Sequence, residues 1–538
     1  MQTMALAERL PKVDLVIALR AHSLCYVHRV ERTPVVAALR NSGGSESAIN
    51  GQKRVTVIGA GIAGLVTAYE LERLGHRVEI IEASPDVGGR IDTHRFAVDG
   101  RPGPFAELGA MRIPAGHRLT RHYIAELGLQ DQVHRFQTLF SDDHAYLPSS
   151  GGYVRVGDAH ETLVKEFVAG LPNRQYRENT LLFGAWLDAT IRAVAPRQFY
   201  DGMHNEIGAE LLDLIDGIDL TPYRCGSSGN RIDLHAFYAD HPLIRSLCPP
   251  HLERFLDDVL DETGSNIIRL RSGMDMLPRR LAAQIRGPIS TGREVVGIEI
   301  QQDSVLLHVR HGAKTIATSC DYVVCTIPFT VLRAMRLVGF DQDKLDIVHQ
   351  TKYWPATKVA LHCREAFWKK DGISGGASFT GQHVRQTYYP PVDGDPALGA
   401  VLLASYSIGP DAEALGRLSE AERNALIIRE LSEMHPELRA PGMILGVASR
   451  AWGRHRWSLG AATVRWGQGA ALRESERREA VRPQRRLFFA GEHCSSKPAW
   501  IEGAIESAID AAHEIEWHEL RADREFATTR SSRLGKLA

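Results

Sequence analysis

The most regular hydrophobic pattern of the chain begins at residue 54. Val55–Ile58 is a short run rich in β-branched residues, as in a strand that is buried on both faces. A segment with apolar residues at helical spacing follows and stops at Gly75, and Val78–Ile81 is a second apolar run. A strand, a helix and a strand in this order predict a βαβ unit with parallel strands.

Other apolar patterns predict a helical region and further sheets. Residues 120–265 carry helical periodicity, whereas 290–311 alternates as a hairpin of two strands does. Thr357–Cys363 and Ala400–Ser407 have the composition of buried strands of a second sheet. Residues 487–512 predict a strand, a Gly-Glu turn, a loop and a final helix.

The composition is that of an ordinary globular protein. Of 538 residues 44% are hydrophobic and 24% are charged, and 64 basic residues face 65 acidic ones, for a net charge of −1. This balance argues against a nucleic-acid or membrane-surface partner. The 7 cysteines are an odd number without a C-x-x-C pair, which favours a reduced protein in the cytoplasm.

A glycine-rich turn joins the first predicted strand to the first predicted helix. Gly59 permits the tight turn, Gly61 lets the backbone approach a pyrophosphate, and Gly64 lets the helix pack closely against the strand. Ile62 and Ala63 lie in the first turn of that helix, whose free N–H groups and positive dipole end favour phosphate. The spacing within an intact βαβ unit indicates a dinucleotide site.

The residues after the second strand refine the choice of dinucleotide. Glu82 ends that strand, where a carboxylate accepts hydrogen bonds from ribose hydroxyls, and Ala83 follows it. Gly89, the second glycine of a pair, and Arg90 come soon after and would bring more N–H groups and a cation near the pyrophosphate. This second glycine pair resembles the signature of FAD enzymes of the flavin amine oxidase superfamily.

The final predicted helix adds to the same site from the far end of the chain. Its first turn contains Trp500, Ile501 and Ala504, and its N–H groups could face a flavin ring. Because both ends of the chain would then build one cofactor site, we expect the middle of the chain to be inserted between them.

The resemblance to L-amino acid oxidases covers residues 52–515. It rests on FAELGAMRIPAGHRLTRHYIAELGL at 105–129, on TKVALHCREAFWKKDGISGGASF, on AVLLASYSIGPDA and on the GEH…WIEGAI end. Stretches such as FQTLFSDDHAYLP, LLFGAWL and RQTYYPPVDGDP are similar to the L-tryptophan oxidases of indolocarbazole biosynthesis. The resemblance implies an α/β fold in which a Rossmann-like FAD-binding domain of the amine oxidase type is interleaved with a mixed-sheet substrate domain and a helical domain.

The domain boundaries expected on this basis follow the insertions. They are a flexible extension at 1–50, an FAD domain made of 52–118, 266–325 and 480–517, a helical domain at 119–265, a substrate domain at 326–479 and a tail at 518–538.

The resemblance also implies the residues that hold an amino acid. Arg112 matches the arginine that binds the substrate carboxylate, a role that suits a planar guanidinium, although a structural ion pair, for example with Glu107, is the alternative. Tyr406 matches the tyrosine that donates to the same carboxylate, and Lys358 matches a lysine beside the flavin that serves the reaction with oxygen. The wall of the substrate site is implied at three further positions, Trp500, Ala499 and Ala462.

Further residues are implied on the cofactor side. Glu492 matches the residue that holds the ribityl chain, with structural capping as the alternative, and Val295 matches the backbone that touches adenine. Residues expected against the flavin by the same correspondence are Gly109, Ala110, Met111 and Arg112. Monoamine oxidases carry a flavin-linked cysteine where this chain has Ala461 and Ala462, so non-covalent FAD is implied.

The function implied is oxidation of an L-amino acid, L-tryptophan or a chlorotryptophan, to the 2-imino or 2-oxo acid. O2 would be reduced to H2O2, and the product would enter bisindole metabolism. The alternatives are a monooxygenase that forms an amide, an L-amino acid oxidase of broad specificity and, outside the enzymes, a flavoprotein scaffold. We expect a cytoplasmic homodimer, and no pattern of ligands predicts a metal.

Overall fold

The computed structural model of the protein describes most of the chain from residue 52 onward. The described residues are 52–149, 151–171, 175–196, 200, 207, 211–248, 250–264, 266–465 and 468–534. The extension predicted at 1–50 lies outside them.

A parallel sheet of five strands forms the base of the fold. Its strand order is Ile289–Ser290, Arg77–Ile81, Arg54–Ile58, Tyr322–Cys325 and Leu487–Phe489, and every pair is parallel. The predicted βαβ unit is therefore confirmed. The sheet also shows that segments more than 400 residues apart in sequence build one layer, as the predicted interleaving requires.

Two helices cover this sheet and contact each other. The opening helix, Ile62–Arg73, follows the glycine turn, and the closing helix, Ile501–Leu534, packs against it. His76, after the opening helix, lies 2.7 Å from the carboxylate of Glu516 in the closing helix, and both side chains are buried. The closing helix continues through residues 518–534, past the expected end of the FAD domain at 517.

Early in the closing helix, Glu502 supports a second helix. Its carboxylate accepts hydrogen bonds from the N–H groups of Leu119 and Thr120 at 3.0 and 2.8 Å, and from the Thr120 hydroxyl. These N–H groups are in the first turn of the helix Arg118–Glu126, where no intrahelical acceptor exists for them. A negative charge at this helix end is stabilised by the helix dipole.

Two further sheets extend the molecule. A four-stranded mixed sheet has the order Lys314–Cys320, Val305–His311, Glu294–Ile300 and Arg336–Val338. A second five-stranded sheet has the order Ala377–Phe379, Gln386–Tyr388, Ala400–Ile408, Ala356–Cys363 and Ile444–Ala451, with antiparallel pairs throughout. The two long apolar strands predicted from the sequence lie next to each other in this sheet.

The predicted helical region is largely helical. Its helices from His160 onward share one apolar core with the second five-stranded sheet, whereas its first helix packs in the core of the parallel sheet. Its helices are Arg118–Glu126, His160–Ala169, Glu178–Val194, Leu212–Ile215, Leu234–Asp240, Pro242–Ser246 and Pro250–Thr263. The other helices of the described residues are Met276–Ala282, Phe329–Leu332, Gln342–Gln350, Pro410–Arg417, Glu420–Met434 and Ala470–Val481.

The remaining strands form short pairs. These are Thr93–Val98 with Arg101–Glu107, Val133–Arg135 with Ile268–Leu270, Tyr146–Ser149 with Gly152–Arg155, Arg224–Cys225 with Arg231–Ile232, and Tyr353–Trp354 with Ala462–Thr463. Over the residues that the structure describes, no helix combines the length and the apolar character needed to cross a bilayer.

Candidate functional site

One large cavity lies between the parallel sheet and the second five-stranded sheet. Its volume is about 470 Å³, and three distant parts of the sequence contribute to its walls. The predicted site residues that line it are Gly59, Gly61, Ile62, Ala63, Glu82, Ala83, Gly89, Arg90, Gly109, Ala110, Met111, Arg112, Val295, Lys358, Tyr406, Ala462, Glu492, Ala499, Trp500, Ile501 and Ala504. The cavity thus brings together residues that the sequence pattern could only group by resemblance.

Gly64 is the predicted site residue that the cavity lining does not include. A β-carbon added at Gly64 would lie 1.9 Å from the carbonyl oxygen of Gly59, so the absence of a side chain lets the helix approach the strand. This contact agrees with the packing role expected for the third glycine of the turn.

The two glycine turns pack on each other at one end of the cavity. Gly59 has a φ of +101°, which only glycine adopts readily. The N–H of Gly88 donates to the carbonyl oxygen of Ala60 at 2.9 Å, and a β-carbon at Gly89 would lie 3.2 Å from the α-carbon of Gly61. Both turns therefore expose backbone to the same part of the cavity.

The geometry of Gly61 tests whether a dinucleotide fits here. A β-carbon added at Gly61 meets no protein atom within 4 Å, so this backbone faces open space in the cavity wall. Gly61 also precedes the first residue of the opening helix, whose N-terminal N–H groups attract phosphate. Bare backbone next to a helix N-terminus is what a pyrophosphate requires, and the residues present fit one.

Glu82 is held rigidly at the end of its strand. One carboxylate oxygen accepts from the N–H of Ala60 at 2.6 Å, and the other accepts from the N–H of Ser84 at 2.7 Å. Each carboxylate oxygen can accept more than one hydrogen bond, so the carboxylate can still accept from the hydroxyls of a ribose.

Arg90 and Glu492 both line the cavity, and the contacts with the pyrophosphate and the ribityl chain expected of them stay predictions. They form a buried ion pair at 2.8 Å, and the same Nη1 of Arg90 also donates to the carbonyl oxygen of Ala461 at 2.8 Å. The other oxygen of Glu492 accepts from the hydroxyl of Thr463 at 2.7 Å and from the N–H of Ala499 at 3.0 Å. Burial opposes ionisation, but Arg90 and these donors hold the pKa of Glu492 below its usual value.

At the opposite end of the cavity, Arg112 is a buried cation with two partners. Its Nη2 lies 2.9 Å from a carboxylate oxygen of Glu262, and its Nη1 donates to the hydroxyl of Tyr388 at 2.7 Å. Burial favours loss of the proton, but the Glu262 carboxylate outweighs it and raises the pKa of Arg112. The partner suggested from the sequence, Glu107, forms no ion pair with Arg112 in the described structure; it accepts from the N–H of Met274 instead.

Two neighbouring strands position the Lys358 ammonium and the Tyr406 ring. The two residues are paired in the second five-stranded sheet, and Lys358 Nζ lies 4.7 Å from the centre of the Tyr406 ring. The ammonium donates to the carbonyl oxygen of Gly109 at 2.6 Å and to that of Glu107 at 3.2 Å. Burial, together with repulsion by Arg112, lowers the pKa of Lys358 to about 7.

The cavity wall beside the closing helix contains a strained residue. Ala499 has a φ of +70°, in the left-handed region that residues other than glycine rarely adopt. This backbone conformation costs about 1–3 kcal/mol of conformational free energy. The strained backbone directly precedes Trp500, whose ring packs edge-to-face on His117 at 5.0 Å between centres. The strain therefore lies where the chain presents an aromatic ring to the cavity.

Sequence reasoning missed three residues that hold Arg112. Tyr388 donates to the side-chain oxygen of Gln386 at 3.0 Å, and the amide of Gln386 donates to the carbonyl oxygen of Ala193 at 2.8 Å. The spacing of Gln386 and Tyr388 on one face of a strand was a signal in the sequence. Glu262, at the end of a helix, carried no such signal.

No group of three or more His, Cys, Asp or Glu side chains that could hold a metal occurs among the described residues.

The chain is similar to known proteins in three comparisons. The family model described as flavin containing amine oxidoreductase matches residues 62–516. The flavin-dependent L-tryptophan oxidase RebO of Lentzea aerocolonigenes is 53% identical over 468 residues, which is 87% of this chain and 98% of that protein. The L-amino-acid oxidase of Vipera ammodytes ammodytes is 27% identical over 86% of this chain and 92% of its own length.

Solved structures support the same fold. Wild-type putrescine oxidase bound to putrescine has a TM-score of 0.59 at 18% identity and covers 86% of this chain and 99% of its own. The fold class and the flavin cofactor predicted from the sequence are confirmed by these matches.

Gly61→Val should abolish flavin binding and leave the fold intact. The φ of Gly61 is −71°, which valine tolerates, and the added β-carbon meets no neighbouring segment within 4 Å and lies on the side where the pyrophosphate must approach. The measurement is the ratio of visible flavin absorbance to protein absorbance, together with a thermal melt of the protein.

Gly116→Val is the matched control, because a β-carbon there also meets open space but lies outside the cavity lining. A yellow Gly61→Val protein with normal flavin content would show that the pyrophosphate does not approach this turn.

Proposed function

The chain belongs to the flavin containing amine oxidoreductase family, and we propose that it is an FAD-dependent L-amino acid oxidase that prefers L-tryptophan. In the proposed reaction the amino acid loses two electrons and two hydrogens, and the resulting 2-imino acid takes up water to give the 2-oxo acid and ammonium. O2 takes up the electrons and protons as H2O2. For tryptophan the product is indole-3-pyruvate, a precursor suited to bisindole biosynthesis.

The observation that carries this proposal is the buried guanidinium of Arg112 in the same cavity as the glycine turns. A planar cation binds both oxygens of a carboxylate and fixes its orientation. An oxidase of simple amines has no use for such a group. The family relatives that oxidise L-amino acids support the same choice of substrate class.

FAD, when bound, supplies the oxidant that accepts the hydrogen from the α-carbon of the substrate. The other tasks fall to side chains of the cavity. Arg112 binds the α-carboxylate, and Tyr406, whose pKa burial raises, stays protonated and donates to the same carboxylate. Trp500 and Ala499 form the wall on the amino side of the substrate, next to the closing helix.

Lys358 is proposed to serve the reaction with oxygen. Its ammonium is held by the carbonyl oxygens of Gly109 and Glu107, and with a pKa of about 7 its Nζ can take up or release a proton near neutral pH. Reduction of O2 to H2O2 requires protons in a site that excludes water. A lysine poised between its two protonation states meets this need.

The preference for tryptophan rests on two supports. The chain is 53% identical to a flavin-dependent L-tryptophan oxidase, and the small side chain of Ala462 leaves room in the cavity wall for a large ring. The sheet-derived wall opposite is built from Tyr406 and Ile408, which suits an apolar or aromatic substrate side chain.

Mixing the yellow protein with single amino acids in the absence of oxygen tests this substrate assignment. We expect L-tryptophan to bleach the visible flavin absorbance faster than other L-amino acids, and D-tryptophan to leave it unchanged. After oxygen is admitted, H2O2 and the 2-oxo acid should form in equal amounts. Formation of an amide with loss of CO2 would instead identify a monooxygenase.

The FAD is proposed to be non-covalent. The segment that carries a flavin-linked cysteine in monoamine oxidases contains Ala461 and Ala462 in this chain. Acid precipitation should therefore release all flavin into the supernatant as intact FAD, measured by its absorbance and chromatography. Flavin fluorescence that remains with the precipitated protein would contradict this expectation.

A cytoplasmic location and a homodimer complete the proposal. The six cysteines that the structure describes are all free thiols, which supports a reducing compartment. The dimer remains a prediction from the sequence resemblance.

Arg112→Leu should retain FAD and lose most of its kcat/KM with L-tryptophan. The variant removes a charge-assisted hydrogen-bonding partner in a buried site, a loss of about 2–5 kcal/mol, or roughly 30-fold to several-thousand-fold. Arg112→Lys should recover only part of the activity, because an ammonium lacks the fork that orients the carboxylate. Steady-state kinetics with L-tryptophan measure both effects.

Tryptamine, which lacks the carboxylate, is the matched substrate control. The wild type should oxidise tryptamine poorly, and Arg112→Leu should hardly change the kcat/KM for tryptamine. Equal damage to the oxidation of tryptamine and of tryptophan would mean that Arg112 is structural.

A further inference from the structure

Arg112 has a second partner, Glu262, and its position suggests a role that goes beyond the proposed function on which this inference rests. We propose that the carboxylate of Glu262 competes with the substrate's α-carboxylate for Arg112, so that substrate binding is an exchange of one carboxylate for another. Glu262 is thus a specificity-determining residue, because the ligands that open the site are those able to replace it at Arg112.

The position of Glu262 supports this role. Its side chain lines the cavity, is 17% exposed, and contacts Arg112, which is 5% exposed, at 2.9 Å. The carboxylate of Glu262 therefore takes up one N–H of Nη2 and neutralises the cation that a bound α-carboxylate would contact in the same cavity. The guanidinium has five N–H donors, so Glu262 competes through its negative charge, which already neutralises the buried cation, rather than by using up the donors.

The two partners of Arg112 are held with different strength. Tyr388 is 2% exposed and is fixed through Gln386 to the carbonyl oxygen of Ala193. The backbone of Glu262 is anchored by a hydrogen bond of 2.5 Å from the hydroxyl of Thr138 to its carbonyl oxygen. Release of Arg112 by Glu262 therefore requires rotation of one side chain about a fixed backbone, whereas release by Tyr388 would break a buried chain of hydrogen bonds.

A small void borders Glu262 and gives its side chain room to begin to turn away from Arg112. The void has a volume of about 10 Å³ and is also lined by Arg385, Gln386 and Tyr406 among others. Arg385 is buried, donates to the carbonyl oxygens of Arg192 and Ala195, and has a long ion pair of 3.9 Å with Asp411. A rotated Glu262 would thus move from one buried cation toward another, which limits the cost of leaving Arg112.

The exchange makes the net charge of the substrate site independent of occupancy. Before binding, Glu262 neutralises Arg112, and after binding the substrate carboxylate does so. A ligand without a carboxylate leaves the Arg112–Glu262 pair intact and finds its place obstructed. The Arg112–Glu262 pair therefore disfavours simple amines before any ligand binds, in addition to the contacts that a bound amino acid makes.

Binding of a non-reacting carboxylate to the flavin-loaded protein tests the exchange. Indole-3-propionate is titrated calorimetrically into the wild type and into Glu262→Gln, which keeps the shape of the side chain and removes its charge. The dissociation constant should fall by about tenfold in the variant, within the range typical of coupled binding equilibria. Glu262→Ala, a second variant, should shift it in the same direction.

Two controls separate charge from shape. Indole-3-propionamide, the uncharged counterpart, should bind the wild type and Glu262→Gln equally. Glu253→Gln removes a carboxylate from the first turn of the same helix and should leave the carboxylate's dissociation constant unchanged.

The outcomes are distinct. Unchanged or weaker carboxylate binding in Glu262→Gln would make Glu262 a support of Arg112 and overturn the exchange. Equal gains for the carboxylate and the amide in Glu262→Ala, with no gain in Glu262→Gln, would make it a steric obstacle only, which also overturns the exchange. Failure of the proposed function would appear separately, as the absence of oxidation with every amino acid, whatever the binding constants.

Discussion

The ion pair of Arg90 and Glu492 joins the distant segments that enclose the cavity. Arg90 follows the second glycine turn, and Glu492 follows the last strand of the parallel sheet, 402 residues later. The same two side chains also bind the backbone of Ala461 and the hydroxyl of Thr463, which belong to the wall near the second five-stranded sheet. A broken buried pair leaves an uncompensated charge, so the three segments are held together by the cost of separating them.

Charge balance governs the opposite end of the cavity in a similar way. Two cations, Arg112 and Lys358, lie close together, and burial together with repulsion by Arg112 lowers the pKa of Lys358 to about 7. Burial raises the pKa of Glu107 to about 7, and Glu262 neutralises Arg112. Because one carboxylate replaces another at Arg112 in the proposed exchange, the repulsion that Arg112 exerts on the Lys358 ammonium stays balanced by an anion throughout.

The sequence was sufficient for the local βαβ unit but not for contacts between distant segments. The glycine turn, its helix and Glu82 follow from spacing alone, because neighbouring residues determine them. Tyr388 and Glu262 contact Arg112 only because two sheets and a helical region pack together, and no local sequence pattern predicts these contacts. Arg90 shows the same limit, since no local pattern indicates that the fold places Glu492 beside it.

The order of strands in the parallel sheet also has a consequence for biosynthesis. Leu487–Phe489 is an outer strand of the sheet, and the closing helix begins only at Ile501. The amino-terminal part of the chain leaves the ribosome first, at about 5–20 residues per second, and must wait tens of seconds for these last elements. Glu492 and Trp500 are among the last wall residues to emerge, so the nascent chain has no complete binding site. The complete flavin site can therefore form only after these last elements have been synthesised.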